Sequence, residues 1–166
     1  DHARARGADI LAEVAGFAMT SDAADIVTPS KSGAARSMRL ALKDAALNPE
    51  DVGYINAHGT GTMANDKTES AAILDVFGQH AERLMVSSTK SMHGHLIGAT
   101  GAVELLAAIM ALRDGVIAPT IGYQIPDPDC PLDVVPNTAR YATVRAVLSN
   151  AFAFGGLNAV LALKAI

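Results

Sequence analysis

Short apolar runs alternate along this chain with longer segments of helical periodicity, and that alternation constrains the fold more than any single motif. Residues 10–19 read as a strand, followed by a polar loop containing Pro29. Ser32 is placed to cap a helix running to about Leu47, with Ala35, Met38, Leu40, Leu42 and Ala46 at roughly helical spacing. Asn48-Pro49-Glu50-Asp51 breaks that helix. Residues 52–57 form a short strand. Asn65 or Asp66 then caps a helix through Phe77, with Gly78 as its stop. Residues 84–86 are a third strand, and residues 98–113 a third long helix ended by Gly115. Two last strands, residues 146–152 and 158–164, flank the turn Ala153-Phe154-Gly155-Gly156. Strands alternating with helices predict a layered α/β domain, a mixed sheet with helices on its faces. The closing pair reads as an antiparallel hairpin. Between the third helix and that hairpin, Pro119, Pro126, Pro128, Pro131 and Pro136 mark an irregular connector. Its Ile117, Ile121, Tyr123, Ile125, Val134 and Val135 are available to pack, so an ordered crossing loop is expected rather than a flexible linker.

A length of 166 residues fits one compact domain, and with half of them hydrophobic the core needs no staples. A net charge of −4 offers no basic patch and argues against a nucleic-acid partner. One cysteine excludes an internal disulfide framework and fits a reducing cytoplasm. No apolar run reaches the length of a membrane span, and no signal peptide is visible. The chain begins at Asp1 without an initiator methionine, which suggests a fragment or a processed piece.

Three loops follow strands or join them: Asn56-Ala57-His58-Gly59-Thr60-Gly61-Thr62, Lys90-Ser91-Met92-His93-Gly94-His95, and Asn150-Ala151-Phe152-Ala153-Phe154-Gly155-Gly156. In an α/β layer, loops at the carboxyl ends of neighbouring strands gather on one edge, where ligands bind. If these three meet there, two imidazoles face one small volume lined by Phe, Thr and Gly. Histidines so placed serve as hydrogen-bond donors or proton carriers at neutral pH. Taken alone, loop histidines are more often solvated or satisfied in a core, Lys90 an ordinary surface charge and Phe154 a core residue. Thr60 and Thr62 would merely close or cap a turn. His58, His93 and His95 as a zinc set lack a cysteine or carboxylate at ligand spacing.

The order and spacing of several motifs resemble the C-terminal half of a β-ketoacyl-acyl-carrier-protein synthase, a condensing enzyme of the thiolase fold, nearest the synthase II type. The motifs are Asn56 to Thr62, Ser88-Thr89-Lys90-Ser91-Met92 with Gly94-His95-Leu96, Gly101-Ala102-Val103-Glu104, and Phe154-Gly155-Gly156. The likeness covers nearly the whole chain and implies one half of a duplicated α-β-α-β-α fold. Similar proteins also work in polyketide and nodulation-factor acyl synthesis.

The resemblance implies a decarboxylating Claisen condensation. An acyl chain waits as a cysteine thioester while malonyl thioester on a carrier protein loses CO₂ and attacks it. His58 and His95 match the two imidazoles that donate N–H to the enolate oxygen, donors worth roughly 3–4 kcal/mol each. Lys90 and Glu104 match a supporting ion pair, and Asp66 an acidic residue at the start of a helix. Thr60 and Thr62 match residues that hydrogen-bond the pantetheine arm. Phe154 matches a gate beside the acyl pocket, hinged by Gly155 and Gly156. His93 stands where the family has another residue type, and an exposed or packing role is expected. Ala153 and Leu157 depart from the family's glycine and threonine, which puts gate motion and acyl preference in question. An acidic, phosphopantetheinylated acyl carrier protein, the N-terminal half of the same synthase and a homodimer mate are the implied partners. No metal or redox cofactor is expected.

The family's nucleophilic cysteine lies in the N-terminal half. Cys130, between prolines and acids in Pro128-Asp129-Cys130-Pro131-Leu132-Asp133, lacks the electropositive surroundings of a reactive thiol and reads as a bystander. The chain alone is therefore expected to be inactive. A catalytically silent, chain-length-factor-like subunit and a thiolase-like or decarboxylase relative are the alternatives. The retained pair of histidines weighs against both.

Overall fold

The computed structural model describes residues 1–166. In chain order its elements are α1 (His2–Ala5), β1 (Glu13–Ser21), α2 (Lys31–Asp44), β2 (Val52–Asn56), α3 (Met63–Phe77), β3 (Met85–Ser87), α4 (Lys90–His93), α5 (Thr100–Asp114), β4 (Val116–Ile117), β5 (Arg140–Tyr141), β6 (Ala146–Ala153) and β7 (Leu157–Lys164). Five strands form one sheet in the order β1-β7-β6-β2-β3. The β6, β2 and β3 strands run parallel, whereas β7 is antiparallel to both of its neighbours. The layered α/β reading and the closing hairpin are thus found.

Helices cover the two sheet faces unequally. Met38 and Ala41 of α2 and Ile73 of α3 join Ile55, Leu148 and Val160 of the sheet in the larger core. On the other face, Ala108 and Ala111 of α5 pack with Tyr54, Val147 and Leu163. Tyr54 is fully buried there; its hydroxyl donates to Ser87 Oγ at 2.8 Å, and Ser87 in turn donates to the Ala118 carbonyl. Burial pushes the Tyr54 hydroxyl up to about 12. Large apolar side chains also remain exposed beyond this core: Phe17 and Met19 of β1, and Leu106 and Met110 on the side of α5 turned away from it. The proline-bearing connector is ordered, as expected. Val86 donates its N–H to the Asp133 carbonyl, and Ser88 donates its N–H to Thr120 Oγ1.

Helix ends differ from the sequence reading. Ser30, not Ser32, caps α2: it is extended (φ −100°, ψ 122°) and accepts from the Gly33 N–H, while Ser32 only pairs with the Ser30 hydroxyl at 2.9 Å. The helix also stops at Asp44, short of Leu47. Ala46 turns left-handed (φ +50°), and the Leu47 N–H reaches the Leu42 carbonyl. This is a Schellman ending, which returns Leu47 to the core. Thr62 caps α3, with Asn65 and Asp66 already inside its first turn. The hydroxyl at the extended position reaches the N3 amide first, and the later polar residues are left free for other contacts.

Alanine bears a Cβ penalty in the left-handed region that glycine lacks. The variant Ala46→Gly should therefore be more stable by about 1 kcal/mol, read as a higher denaturant midpoint with an unchanged slope. A lower midpoint would contradict the Schellman assignment.

Candidate functional site

The three parallel strands β6, β2 and β3 carry their carboxyl-terminal loops to one edge of the sheet, where all three predicted loops meet. Beyond β2, the Ala57 N–H bonds the Ser87 carbonyl of β3 and keeps the strand ends together. At Gly59 (φ +39°) a Cβ would lie 2.5 Å from Ser88 Cβ, so only glycine lets the two loops approach this closely. Ser88 Oγ donates to the Gly59 carbonyl at 2.6 Å and locks that approach.

The residue that holds the first loop was not singled out from the sequence. Glu69 of α3 is buried, and each of its oxygens takes two N–H donors. Oε1 accepts from the His58 amide (2.9 Å) and Asn150 Nδ2 (3.0 Å). Oε2 accepts from the Gly59 amide (2.9 Å) and Asn65 Nδ2 (3.3 Å). Burial pushes its carboxyl up, opposed by these donors. Four N–H donors converging on its two oxygens suit an ionised carboxylate. A signal was present: an acid at position 69 interrupts the stripe Asn65, Ala72, Ile73 and Phe77 that α3 buries.

His58 and His95 come together. Their ring centroids are 5.8 Å apart with planes at 85°, and His58 also meets Phe152 at 5.7 Å. His58 is pushed down to about 3, first by burial, then by the positive Lys90 and by His95. Its ring is accordingly neutral at physiological pH. The proton of His95 can be located from its partners. Its Nδ1 accepts from the Ile97 N–H at 3.1 Å and lies 3.1 Å from Thr100 Oγ1. The neutral ring therefore carries its hydrogen on Nε2, as a donor with no partner inside the chain.

Lys90, in the turn α4, is buried and donates to Glu104 Oε1 on α5. Burial pushes the Glu104 carboxyl up, and the Lys90 ammonium holds it back. A buried pair of this kind stabilises only as a pair, since removing one member strands the other. Asp66 accepts from the Gly61 amide at 3.3 Å and from Asn65 Nδ2 at 3.0 Å, bracing the loop.

Beside these residues lies a cavity of about 490 Å³ whose wall includes Lys90, His95, Thr60, Gly61, Asp66 and Cys130. His58 is absent from that wall; it reaches His95 from the Phe152 side, so the imidazole pair stands at the cavity's edge. Thr60 lines the cavity, whereas Thr62 is occupied as the α3 cap and shares its hydroxyl with Thr60 at 2.9 Å. Phe154 is 78% exposed and does not border the cavity, and Phe152 is the aromatic ring beside His58. Gly155 and Gly156 are both left-handed (φ +81° and +76°). The Gly155 N–H bonds the Ile26 carbonyl, and the Asp22 N–H bonds the Gly156 carbonyl. Burial and the nearby Asp127 push the Cys130 thiol up, away from a nucleophilic thiolate. No group of three His, Cys, Asp or Glu side chains is gathered for a metal.

Known proteins are similar to this chain in sequence and fold. The family described as "Beta-ketoacyl synthase, C-terminal domain" matches residues 11–124. "Nodulation protein E" of Rhizobium meliloti is 56% identical over 166 residues, covering 100% of this chain and 41% of that protein. The "3-oxoacyl-[acyl-carrier-protein] synthase 2" of Synechocystis sp. is 51% identical, covering 99% of this chain and 40% of the relative. Among solved structures, a type II PKS acyl-carrier protein in complex with its ketosynthase superposes with a TM-score of 0.95 at 40% identity, over 99% of this chain and 41% of that one. The chain thus spans about two fifths of the length of the curated relatives it matches.

Replacing the Glu69 carboxylate tests the bracing of the His58 loop. In Glu69→Gln one oxygen becomes an NH₂ group facing N–H donors. Hydrogen exchange at the His58 and Gly59 amides should then speed up about tenfold or more, while exchange in β1 stays unchanged. Unaltered protection at both amides would contradict the bracing role.

Proposed function

The chain belongs to the β-ketoacyl synthase family as its C-terminal domain, the second half of a thiolase-like fold, and from that premise we propose that it supplies the decarboxylation half of a condensing active site. The substrate is a malonyl thioester on the phosphopantetheine arm of an acyl carrier protein. The observation that carries this reading is the meeting of two neutral imidazoles, one with its Nε2–H free.

Loss of CO₂ from the malonyl group leaves its electron pair on the α-carbon, delocalised onto the thioester oxygen as an enolate. Two N–H donors aimed at that oxygen stabilise the charge as it develops, in surroundings where water competes poorly. The enolate carbon then attacks an acyl thioester and expels its thiolate. The step is redox-neutral, so no electron-transfer cofactor is called for. Neutral rings suit this role, because a donor that began as a cation would already be a partner for other anions, and its proton could move onto the carbanion. The positive charge that His58 does feel, from Lys90, is balanced by Glu104.

The acyl-carrying cysteine belongs to an N-terminal half that completes the site. Support comes from the share of the relatives' length that this chain spans, and from the uncovered apolar side chains Phe17, Met19, Leu106 and Met110. Cys130 does not replace it, given its raised thiol. Thr60, on the cavity wall, is assigned to the pantetheine arm, with Thr62 holding the loop as a cap and Asp66 bracing it. The Phe154 turn, tied to residues 22 and 26, is assigned to the acyl side of the site. The full protein works in the cytoplasm, as a homodimer served by its carrier. Retention of both histidines favours an active synthase over a silent partner subunit.

In the full-length protein, His58→Ala and His95→Ala should each lower malonyl decarboxylation by about 10²–10³-fold, with acyl transfer onto the cysteine still measurable. Decarboxylation at the wild-type rate in either variant would remove that histidine from its assigned role.

A further inference from the structure

His93 plays no part in the chemistry described so far, yet its imidazole is half-buried and hydrogen-bonded at both nitrogens. Nδ1 lies 2.7 Å from the Gly94 carbonyl oxygen, and Nε2 lies 3.1 Å from Thr89 Oγ1. A carbonyl oxygen can only accept, so Nδ1 carries the hydrogen. The neutral ring then presents Nε2 as an acceptor, which the Thr89 hydroxyl supplies by donating to it. The Thr89 oxygen in turn accepts from Nδ2 of Asn56, a fully buried residue at the end of β2, at 3.2 Å. All three bonds agree on one direction, from the sheet through Thr89 and His93 to the Gly94 carbonyl.

The end of that chain is the peptide unit joining Gly94 to His95. Gly94 is left-handed (φ +75°), and its N–H is tied to the Lys90 carbonyl at 2.8 Å. Its ψ, which sets the direction in which His95 leaves the turn, has no side chain to restrain it. Within the chain, the bond from His93 Nδ1 is the only hydrogen bond made to that peptide unit. From this geometry we propose that His93 is a positioning residue for His95. In its Nδ1–H tautomer it fixes the Gly94–His95 peptide against the end of β2, and so aims the His95 ring. The inference rests on the reading of His95 as an enolate donor, while the hydrogen-bond chain itself can be observed without it.

The experiment has two arms, both on the full-length protein. In the first, ¹⁵N spectra of the histidine rings at mildly alkaline pH should show His93 protonated at Nδ1 and unprotonated at Nε2. The opposite tautomer would overturn the proposal whatever the catalytic results. In the second, His93→Ala should lower kcat for malonyl decarboxylation by about tenfold or more, because a small misplacement of a catalytic group is costly, with KM for the malonyl carrier substrate little changed. His93→Asn, whose amide can still donate to the Gly94 carbonyl, should recover most of that loss. A His93→Ala variant with wild-type kcat, or a His93→Asn variant as impaired as His93→Ala, would overturn it. If His95→Ala itself left decarboxylation intact, the enolate-donor reading would fail instead, and the ring spectra would still report on the His93 relay.

Discussion

The buried carboxylate of Glu69 is the interaction on which the site's architecture depends. It binds two consecutive amides of the His58 loop and the side chains of Asn65 on α3 and Asn150 on β6. An unpaired anion in such a place would be prohibitively costly, and here four N–H donors share it. Three separate elements are thereby drawn to one point at the carboxyl ends of the parallel strands. Without that anion, the amides at residues 58 and 59 would be buried donors lacking partners, and the loop would have no reason to hold its shape.

Around this anchor the charges are arranged so that the two imidazoles stay uncharged. His58 sits under Phe152 and near the Lys90 ammonium, and both discourage a proton on its ring. Lys90 can remain charged in the interior because Glu104 accompanies it. His95 receives hydrogen bonds on Nδ1 and is left with a single outward donor. Burial, a paired cation and a fixed tautomer together make hydrogen-bond donors out of groups that could otherwise act as bases.

Much of this was legible in the sequence, for identifiable reasons. Alternating strand and helix patterns predicted the layers, because burial on one face dictates period. The glycines of Gly59-Thr60-Gly61 and Gly155-Gly156 marked turns that needed left-handed backbone. Caps were less legible. Ser30 and Ser32, or Thr62 and Asn65, are chemically similar candidates, and backbone geometry chooses between them. Glu69 was missed because its donors come from positions 58, 59, 65 and 150, a set that only the folded chain assembles. Phe154 and Phe152 carry the same side chain two residues apart on one strand and turn. Which of them meets His58 depended on where the hairpin ended.

The charge state of His58 in the folded protein tests the pairing of neutral imidazoles most directly. Its ring is pushed down from 6.5 to about 3, so the folded state binds fewer protons than the unfolded one between those values. The stability tied to its neutral ring is complete above 6.5 and is lost as the pH falls toward about 3. A ¹⁵N titration of the His58 ring in the full-length protein should therefore find it neutral down to about pH 5, well below the range of an ordinary imidazole. A ring that gains its proton near the ordinary value of 6.5 would contradict the claim that this site holds two uncharged donors side by side.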